Sequence, residues 1–174
     1  MTDPKLRVLI SAEQIQTRIR ELGEKISADY PTGNLHMICI LKGAVFFMTD
    51  LARAMKRDVQ LDFMGISTYG KGKTSSGEVK VTKDLDISLE GADVLIVEDI
   101  VDSGVTLNYL TQVLKQRNPK SVRIATLLDK PEHRQRMVDV QYVGFKIPDE
   151  FVVGYGLDFA EDYRNLKDIW ILTE

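Results

Sequence analysis

Residues 94–117, "VLIVEDIVDSGVTLNYLTQVLKQR", join an apolar run to a helical pattern through a short acidic loop. The apolar residues that open the segment are typical of a strand covered on both faces of a sheet. From residue 105 onward, apolar residues at helical spacing predict an amphipathic helix. A buried strand that passes through a tight loop into a helix is half of a βαβ unit, so the segment predicts an α/β fold.

The same alternation of strands and helices extends over most of the chain. Ser11 and Gln14 are spaced as a capping box and predict the start of a first helix. That helix carries one apolar stripe, formed by Ile15, Ile19, Leu22 and Ile26. Further helices are predicted at 43–55 and 105–117, and strands at 35–41, 59–67, 79–85, 92–98, 121–128, 140–145, 151–155 and 168–173. This order predicts a single domain, residues 1–174, built on a mostly parallel sheet with helices on both faces.

Composition limits the partners and the compartment. With 174 residues and 44% hydrophobic content, the chain can build one core, and its formal net charge of -3 provides no basic field for nucleic acid. Cys39, within the apolar run "MICIL", has no second cysteine to pair with, which suits a reducing compartment. Asp3 and Pro4 interrupt any signal-peptide pattern, and no apolar run approaches the roughly 20 residues of a membrane span. We expect a cytoplasmic protein with no membrane or nucleic-acid partner.

Acidic residues lie at the carboxyl end of the strand predicted at 92–98 and in the loop after it. Glu98 and Asp99 could hold a hydrated Mg²⁺ or accept hydrogen bonds from sugar hydroxyls. Asp102 and the "SGVT" that follows it lead into a helix, so backbone N–H groups and two hydroxyls could converge on a phosphate. Alternatively, Asp102 or Ser103 only caps the helix and the carboxylates are solvated. The combination of three acids with S-G-x-T at one strand end favours the ligand site.

The segment "VLIVEDIVDSGVT" closely resembles the phosphoribosyl pyrophosphate signature of the type I phosphoribosyltransferases, and specifically of the hypoxanthine-guanine phosphoribosyltransferases. The resemblance covers nearly the whole chain through four more blocks: "LKGAVFFMTDL", "STYG", "LLDKPEHR" and "IPDEFVVGYGLDFAEDYRNL". It implies the type I fold, a twisted central sheet flanked by helices, with a small hood formed largely by residues 145–174. It also implies a homodimer or homotetramer, and symmetric homo-oligomers are common.

The reaction implied is displacement of pyrophosphate from carbon 1 of phosphoribosyl pyrophosphate by nitrogen 9 of a 6-oxopurine, giving IMP or GMP. A ribosyl cation forms on the way, so charge must be stabilised and water excluded. By resemblance, Glu98 and Asp99 bind the ribose hydroxyls and Mg²⁺, directly or through water, and Asp102 is general base or acid at nitrogen 7. The 5-phosphate is assigned to Ser103, Gly104, Val105 and Thr106, with Val105 standing where some relatives carry a lysine.

The pyrophosphate site is assigned by resemblance to the end of another strand. Lys42 would contact pyrophosphate within the loop of Leu41, Lys42 and Gly43, whose Leu41–Lys42 peptide would be cis. Arg164 would also meet pyrophosphate, and Asp158 would bind a second Mg²⁺ close to the base. Without the resemblance, Asp158 and Arg164 would be interpreted as ordinary surface charges, whereas Lys42 follows a buried strand and is expected at the mouth of the site.

Base recognition is assigned to residues later in the chain. By resemblance, Lys130 donates to the oxygen on carbon 6 of the purine, Phe151 stacks on the ring and Val152 offers backbone groups to its edge. Without the resemblance, Phe151 would be a core residue. Arg134 is placed near the pyrophosphate loop, whereas His36 and His133 are interpreted as structural or solvated.

A lid is predicted at residues 68–78, "TYGKGKTSSGE", between two strands. Thr68 and Tyr69 match the family's lid, which would keep water from the ribosyl cation. The G-K-T at 72–74 is not a Walker A motif, because Ser67 stands where its first glycine is needed and no helix follows. Without the resemblance, a hairpin tip would be the better interpretation.

Two other functional classes are alternatives to a phosphoribosyltransferase. A regulatory phosphate- or nucleotide-binding protein could keep this fold without catalysis, but binding alone requires neither a base such as Asp102 nor a water-excluding lid. A receiver-type phosphoacceptor also uses an acidic strand end, but near its first strand, whereas these acids lie past the middle of the chain. The sequence contains neither a His and Cys cluster typical of zinc nor an apparent Ser-His-Asp set.

Overall fold

A computed structural model describes residues 5–68 and 79–173. The elements run β1 (Lys5–Ile10), α1 (Ala12–Asp29), β2 (Leu35–Leu41), α2 (Val45–Ala54), β3 (Gln60–Thr68), β4 (Val79–Lys83), β5 (Asp93–Val101), α3 (Val105–Lys115), β6 (Ser121–Asp129), a 3₁₀ turn (Pro131–His133), β7 (Tyr142–Lys146), β8 (Val152–Val153) and β9 (Ile169–Thr173). Every helix and strand predicted from the sequence is present. Tyr69 and most of the predicted lid lie outside the described residues.

The central sheet has the strand order β4-β3-β2-β5-β6-β7. All neighbouring strands are parallel except β3 and β4, which are antiparallel. The chain builds outward from β2 to β3 and β4 on one side, and from β5 to β6 and β7 on the other. The strand order therefore reverses between β2 and β5, and open α/β sheets bind ligands beside the carboxyl ends of strands at such a switch point.

Helices cover both faces of this sheet. Met37 and Cys39 of β2 join the buried cluster that contains α1 and α2. Ile38 and Ile40 of the same strand point the other way and join the cluster beneath α3. This alternation explains why β2 and the first half of β5 have continuous apolar sequences, since both of their faces are buried. The predicted α/β class and mostly parallel sheet are confirmed.

The first helix begins as its sequence predicts. Gln14 N donates to Ser11 Oγ at 3.2 Å, and Ser11 N donates to Gln14 Oε1 at 2.9 Å, which together form a capping box. The stripe of Ile15, Ile19 and Leu22 is almost fully buried. Helix α1 is thereby fixed against the sheet. Within residues 5–68 and 79–173, no helix combines the length and apolar character needed to cross a bilayer.

A second, three-stranded sheet has the order β1-β9-β8 and is antiparallel. Strand β1 was not predicted, because most of its side chains are exposed and its partner lies at the other end of the chain. Ala12 N also donates to Asp168 Oδ1 at 2.6 Å, which ties the start of α1 to the segment before β9. The C-terminal segment therefore folds together with the N-terminal strand.

Candidate active site

The carboxyl ends of β2 and β5 lie side by side in the centre of the sheet. Leu41 ends β2, and the Leu41–Lys42 peptide bond is cis. Strand β5 continues to Val101, three residues beyond its predicted end, so Glu98 and Asp99 lie in the last part of the strand instead of in its loop. The two strand ends bring two groups to one edge of the sheet. The first is the loop of Leu41, Lys42 and Gly43, called the lysine loop below, and the second is the acidic pair of Glu98 and Asp99.

Glu98 and Asp99 form a closely coupled acidic pair. Glu98 is only 8% exposed, and burial, followed by the negative charge of Asp99, raises its pKa well above the usual range. The pKa of Asp99 is also raised, chiefly by burial, although the hydrogen bond from Ile100 N opposes this effect. Because the charge of Asp99 opposes ionisation of Glu98, a divalent cation bound by the pair would reduce the repulsion between the two acids.

Gly43 fits the lysine loop tightly against Asp99. A Cβ at Gly43 would lie 2.8 Å from Asp99 Cγ and closer still to Oδ2, which is far inside normal contact. On the other side, Gly156, with φ of +102°, approaches the carbonyl oxygen of Gly43 so closely that a Cβ there would collide with it. The loop after β2 is therefore held between the acidic pair and the C-terminal segment.

The cations assigned to pyrophosphate converge on one carboxylate. Lys42 Nζ lies 3.0 Å from Glu161 Oε2, and Arg164 Nη2 lies 3.4 Å from Glu161 Oε1. Arg164 also contacts Asp158 Oδ1 at 3.0 Å and donates to Gly156 O at 2.8 Å. The hydrogen bond from Lys42 lowers the pKa of Glu161. Nothing in the spacing of Glu161 distinguishes it from a solvated acid, so the sequence provides no signal for its role.

The loop before α3 has the geometry of an anion site. Gly104 is the N-cap of α3 with φ of +79°, a conformation that favours glycine. Ser103 Oγ accepts a 3.3 Å hydrogen bond from Val105 N, so the local capping expected as the alternative interpretation is partly present. Glu98, Asp102 and Thr106 line a small cavity over this loop. The positive end of the helix dipole faces it and favours an anion.

The segment after β6 packs against the loop before α3 and hydrogen-bonds to it. Gln135 N and Arg136 N both donate to Ser103 O, at 2.8 Å and 3.0 Å. Arg134 pairs with Asp129, and its Cδ would lie 3.0 Å from a Cβ at Gly104. Arg134 therefore packs against the loop of residues 102–106, and its position near the pyrophosphate loop stays a prediction.

Asp102 contacts a histidine that was interpreted as structural or solvated. His133 Nδ1 lies 2.9 Å from Asp102 Oδ1, and His133 Nε2 lies 3.0 Å from Asp149 Oδ2. Asp149 Oδ1 in turn lies 3.9 Å from Lys130 Nζ. Neither His133 nor Asp149 was selected from the sequence, because the contacts depend on the path of two loops.

The residues assigned to the base lie around the start of β8. Phe151 is 50% exposed, and Phe159 meets it edge-on with ring centroids 5.8 Å apart. Val152 is buried and pairs with Ile171 of β9, while the Lys130 side chain is only 10% exposed. An exposed aromatic face and a nearly buried cation are both groups that could contact a flat, polar ring.

The predicted metal ligands are Glu98 and Asp99, with Asp158 assigned to a second Mg²⁺. Glu98 and Asp99 are adjacent, but Asp158 is paired with Arg164. Among residues 5–68 and 79–173, no group of three His, Cys, Asp or Glu side chains is arranged to hold a metal ion.

The sequence and the fold both match known phosphoribosyltransferases. The model of the phosphoribosyl transferase domain matches residues 11–160. The chain is 55% identical over 171 residues to hypoxanthine-guanine phosphoribosyltransferase of Mycobacterium tuberculosis, covering 95% of this chain and 85% of that protein. It is 51% identical over 166 residues to the Bacillus subtilis protein of that name, with coverage of 95% and 92%.

A bifunctional protein, TilS/HprT of Listeria innocua, is 54% identical over 166 residues, or 95% of this chain, but the match spans only 26% of that longer protein. Among solved structures, a hypoxanthine phosphoribosyltransferase of Staphylococcus aureus superposes with a TM-score of 0.93 at 47% identity, covering 96% of this chain and 91% of that one. The resemblance drawn from the motifs is confirmed over almost the whole chain. The chain belongs to the phosphoribosyl transferase domain family.

Proposed function

We propose that the protein transfers the 5-phosphoribosyl group from phosphoribosyl pyrophosphate to nitrogen 9 of hypoxanthine or guanine, giving IMP or GMP in purine salvage. The observation that carries the proposal is the contact of Gly43 with Asp99, which joins the lysine loop to the acidic pair at the switch point of the sheet. Relatives that are 51% and 55% identical carry the name of this activity.

Glu98 and Asp99 would bind the ribose. Their oxygens accept hydrogen bonds from the 2- and 3-hydroxyls, and their negative charge lies near the developing ribosyl cation. The donor set also suits Mg²⁺, because buried paired carboxylates with raised pKa values are stabilised by a nearby divalent cation. When bound, Mg²⁺ supplies charge neutralisation for the leaving pyrophosphate. Asp158, now paired with Arg164, is the third candidate ligand.

Asp102 would serve as general base or acid at nitrogen 7 of the purine, which makes the ring a better nucleophile or leaving group. The backbone from Ser103 to Thr106 would hold the 5-phosphate at the N-terminus of α3. Lys42 and Arg164 would bind pyrophosphate by exchanging their contacts with Glu161 for contacts with phosphate oxygens. These groups would hold both phosphate-bearing ends of the substrate at one edge of the sheet.

Lys130 would donate to the oxygen on carbon 6, and Phe151 would stack on the ring. Phe159, edge-on to Phe151, limits the tilt of that ring. A lysine in this position favours 6-oxopurines, because the amino group of adenine is a poor acceptor and would leave a nearly buried cation unpaired.

Several further features belong to the proposal. The β1-β9-β8 sheet would act as the hood over the base, and residues 68–78 as the lid that excludes water. We propose a cytoplasmic homodimer or homotetramer, which light scattering after gel filtration and cell fractionation would test.

The decisive experiment measures initial rates with hypoxanthine, guanine, xanthine, adenine and uracil, each with phosphoribosyl pyrophosphate, with and without Mg²⁺. We expect pyrophosphate release with hypoxanthine and guanine only in the presence of Mg²⁺, and none with adenine or uracil. Tight binding of phosphoribosyl pyrophosphate without turnover of any base would instead support a regulatory binding protein.

A further inference from the structure

His133 joins two parts of the site that are distant in sequence. It ends the 3₁₀ turn that follows Lys130, and both of its ring nitrogens face carboxylates. Asp102, 2.9 Å away, belongs to the loop before α3, and Asp149, 3.0 Å away, precedes β8. Asp149 also faces Lys130 at 3.9 Å. A continuous row of polar groups therefore runs from Asp102 through His133 and Asp149 to Lys130.

The chemistry of imidazole makes this arrangement specific. A histidine donates hydrogen bonds to two acceptors only when both ring nitrogens carry protons. Within the described part of the chain, Asp102 is hydrogen-bonded through Oδ1 alone, so Oδ2 can face a substrate while His133 holds the carboxylate in place.

The two ends of the row correspond to neighbouring atoms of a purine. Nitrogen 7 and the oxygen on carbon 6 lie on the same edge of a 6-oxopurine, and the proposed function assigns them to Asp102 and Lys130. These two groups must keep a fixed separation for both contacts to form at once. The row through His133 connects them by side chains, whereas the backbone between them runs through α3 and β6.

We propose that His133 is a positioning residue that fixes Asp102 relative to Lys130 for recognition of this edge of the base. The inference rests on the proposed function, because it gives both residues their substrate atoms. All three bridging side chains are roughly half exposed, at 50%, 52% and 46% for Asp102, His133 and Asp149. Since exposed ion pairs contribute little to stability, the bridge affects geometry more than folding.

The test compares His133→Ala and His133→Gln with wild type, and with Glu132→Ala as a matched control on the same exposed turn. Kinetic constants are measured for hypoxanthine and for phosphoribosyl pyrophosphate, together with thermal unfolding. We expect kcat/KM for hypoxanthine to fall about 10-fold or more in His133→Ala, with partial recovery in His133→Gln, whose amide can still donate to one carboxylate. The KM for phosphoribosyl pyrophosphate and the Tm should stay at control values.

A second variant on the same row adds a readout that a purely structural role would not change. The groups that face His133 are Asp102 and Asp149, with Lys130 behind Asp149. Asp149→Asn should also lower kcat/KM for hypoxanthine. In the double variant with His133→Ala and Asp149→Asn, the loss of transition-state stabilisation should be smaller than the sum of the losses in the two single variants.

The outcomes separate the inference from the proposed function. Turnover by wild type, with His133→Ala equal to Glu132→Ala, overturns the inference alone. A loss of activity that follows a loss of Tm also overturns it, because His133 would then act through folding. A wild-type protein that turns over no base overturns both the inference and the proposed function.

Discussion

Replacing Gly43 with alanine adds one methyl group where the structure has no room for it. The new Cβ would lie 2.8 Å from Asp99 Cγ. Nonbonded carbon atoms settle at about 3.5 to 4.0 Å, so the carboxyl group or the lysine loop has to move by about 1 Å. A misplacement of that size at a reacting centre costs on the order of 10²-fold in rate, or about 2.7 kcal/mol of transition-state stabilisation. We expect kcat/KM for phosphoribosyl pyrophosphate to fall by this factor.

A matched control separates this steric effect from the general cost of replacing a glycine. Gly91 precedes β5 at the opposite end of the strand, and a Cβ there would meet nothing within 4 Å. Its φ of +69° is unfavourable for alanine, so Gly91→Ala should lower the free energy of unfolding by about 1–2 kcal/mol and leave the kinetics unchanged. Gly43→Ala should lower stability by a similar amount, about 1–3 kcal/mol, through overpacking.

The assay combines steady-state kinetics, titration calorimetry with phosphoribosyl pyrophosphate and urea unfolding. We expect similar losses of stability but very different losses of activity in the two variants. If Gly43→Ala retained kcat/KM for phosphoribosyl pyrophosphate within about threefold of Gly91→Ala, the contact with Asp99 would not position the substrate.

Three further predictions follow from the site. Asp102→Asn should lower kcat by about 10²-fold or more while phosphoribosyl pyrophosphate binding, measured by calorimetry, changes little, and unchanged turnover would remove Asp102 from the mechanism. Lys130→Ala should narrow the preference for hypoxanthine over adenine, and an unaltered ratio of their kcat/KM values would show that another group reads the base. Burial, and then the neighbouring acids of β5, raise the pKa of Cys39 to about 12. A raised pKa leaves less thiolate at a given pH. Ellman's reagent at about pH 8 should therefore react slowly with Cys39 in the native protein and rapidly after unfolding. A rapid reaction of the native protein would contradict the burial of Cys39.

The sequence was sufficient for the central sheet because the relevant signals are local. The apolar run of β2 and the capping box of Ser11 and Gln14 each specify their element within a few residues. Strand β1 was missed for the opposite reason. Four of its six residues are exposed, and its pairing with β9 joins residues as far apart as Lys5 and Thr173. The formation of β1 depends on its pairing with β9, which no local sequence pattern predicts.

Some features of the site could likewise be predicted from local sequence, and others could not. The position of Glu98 and Asp99 could be predicted, because a buried strand that ends in acids must present them at the carboxyl edge of a parallel sheet. The contacts of Glu161 with Lys42, and of His133 with Asp102, could not be predicted, since each joins two loops whose paths depend on the whole fold. The resemblance to known phosphoribosyltransferases identified Lys42 and Asp102 themselves, but not the partners that this chain provides for them.

The free-energy cost of an unpaired negative charge differs between the exposed Glu161 and the buried Glu98. Glu161 and Lys42 are both 66% exposed, so water can replace either partner and a pyrophosphate can exchange with the carboxylate at small cost. Glu98 is 8% exposed and lies beside a second carboxyl group, where water cannot compensate its charge. The buried pair therefore has the stronger requirement for a cation or for hydroxyl donors. Under the proposed function, the ribose end of the substrate should therefore dominate binding, while the exposed pair at Lys42 would allow pyrophosphate to enter and leave.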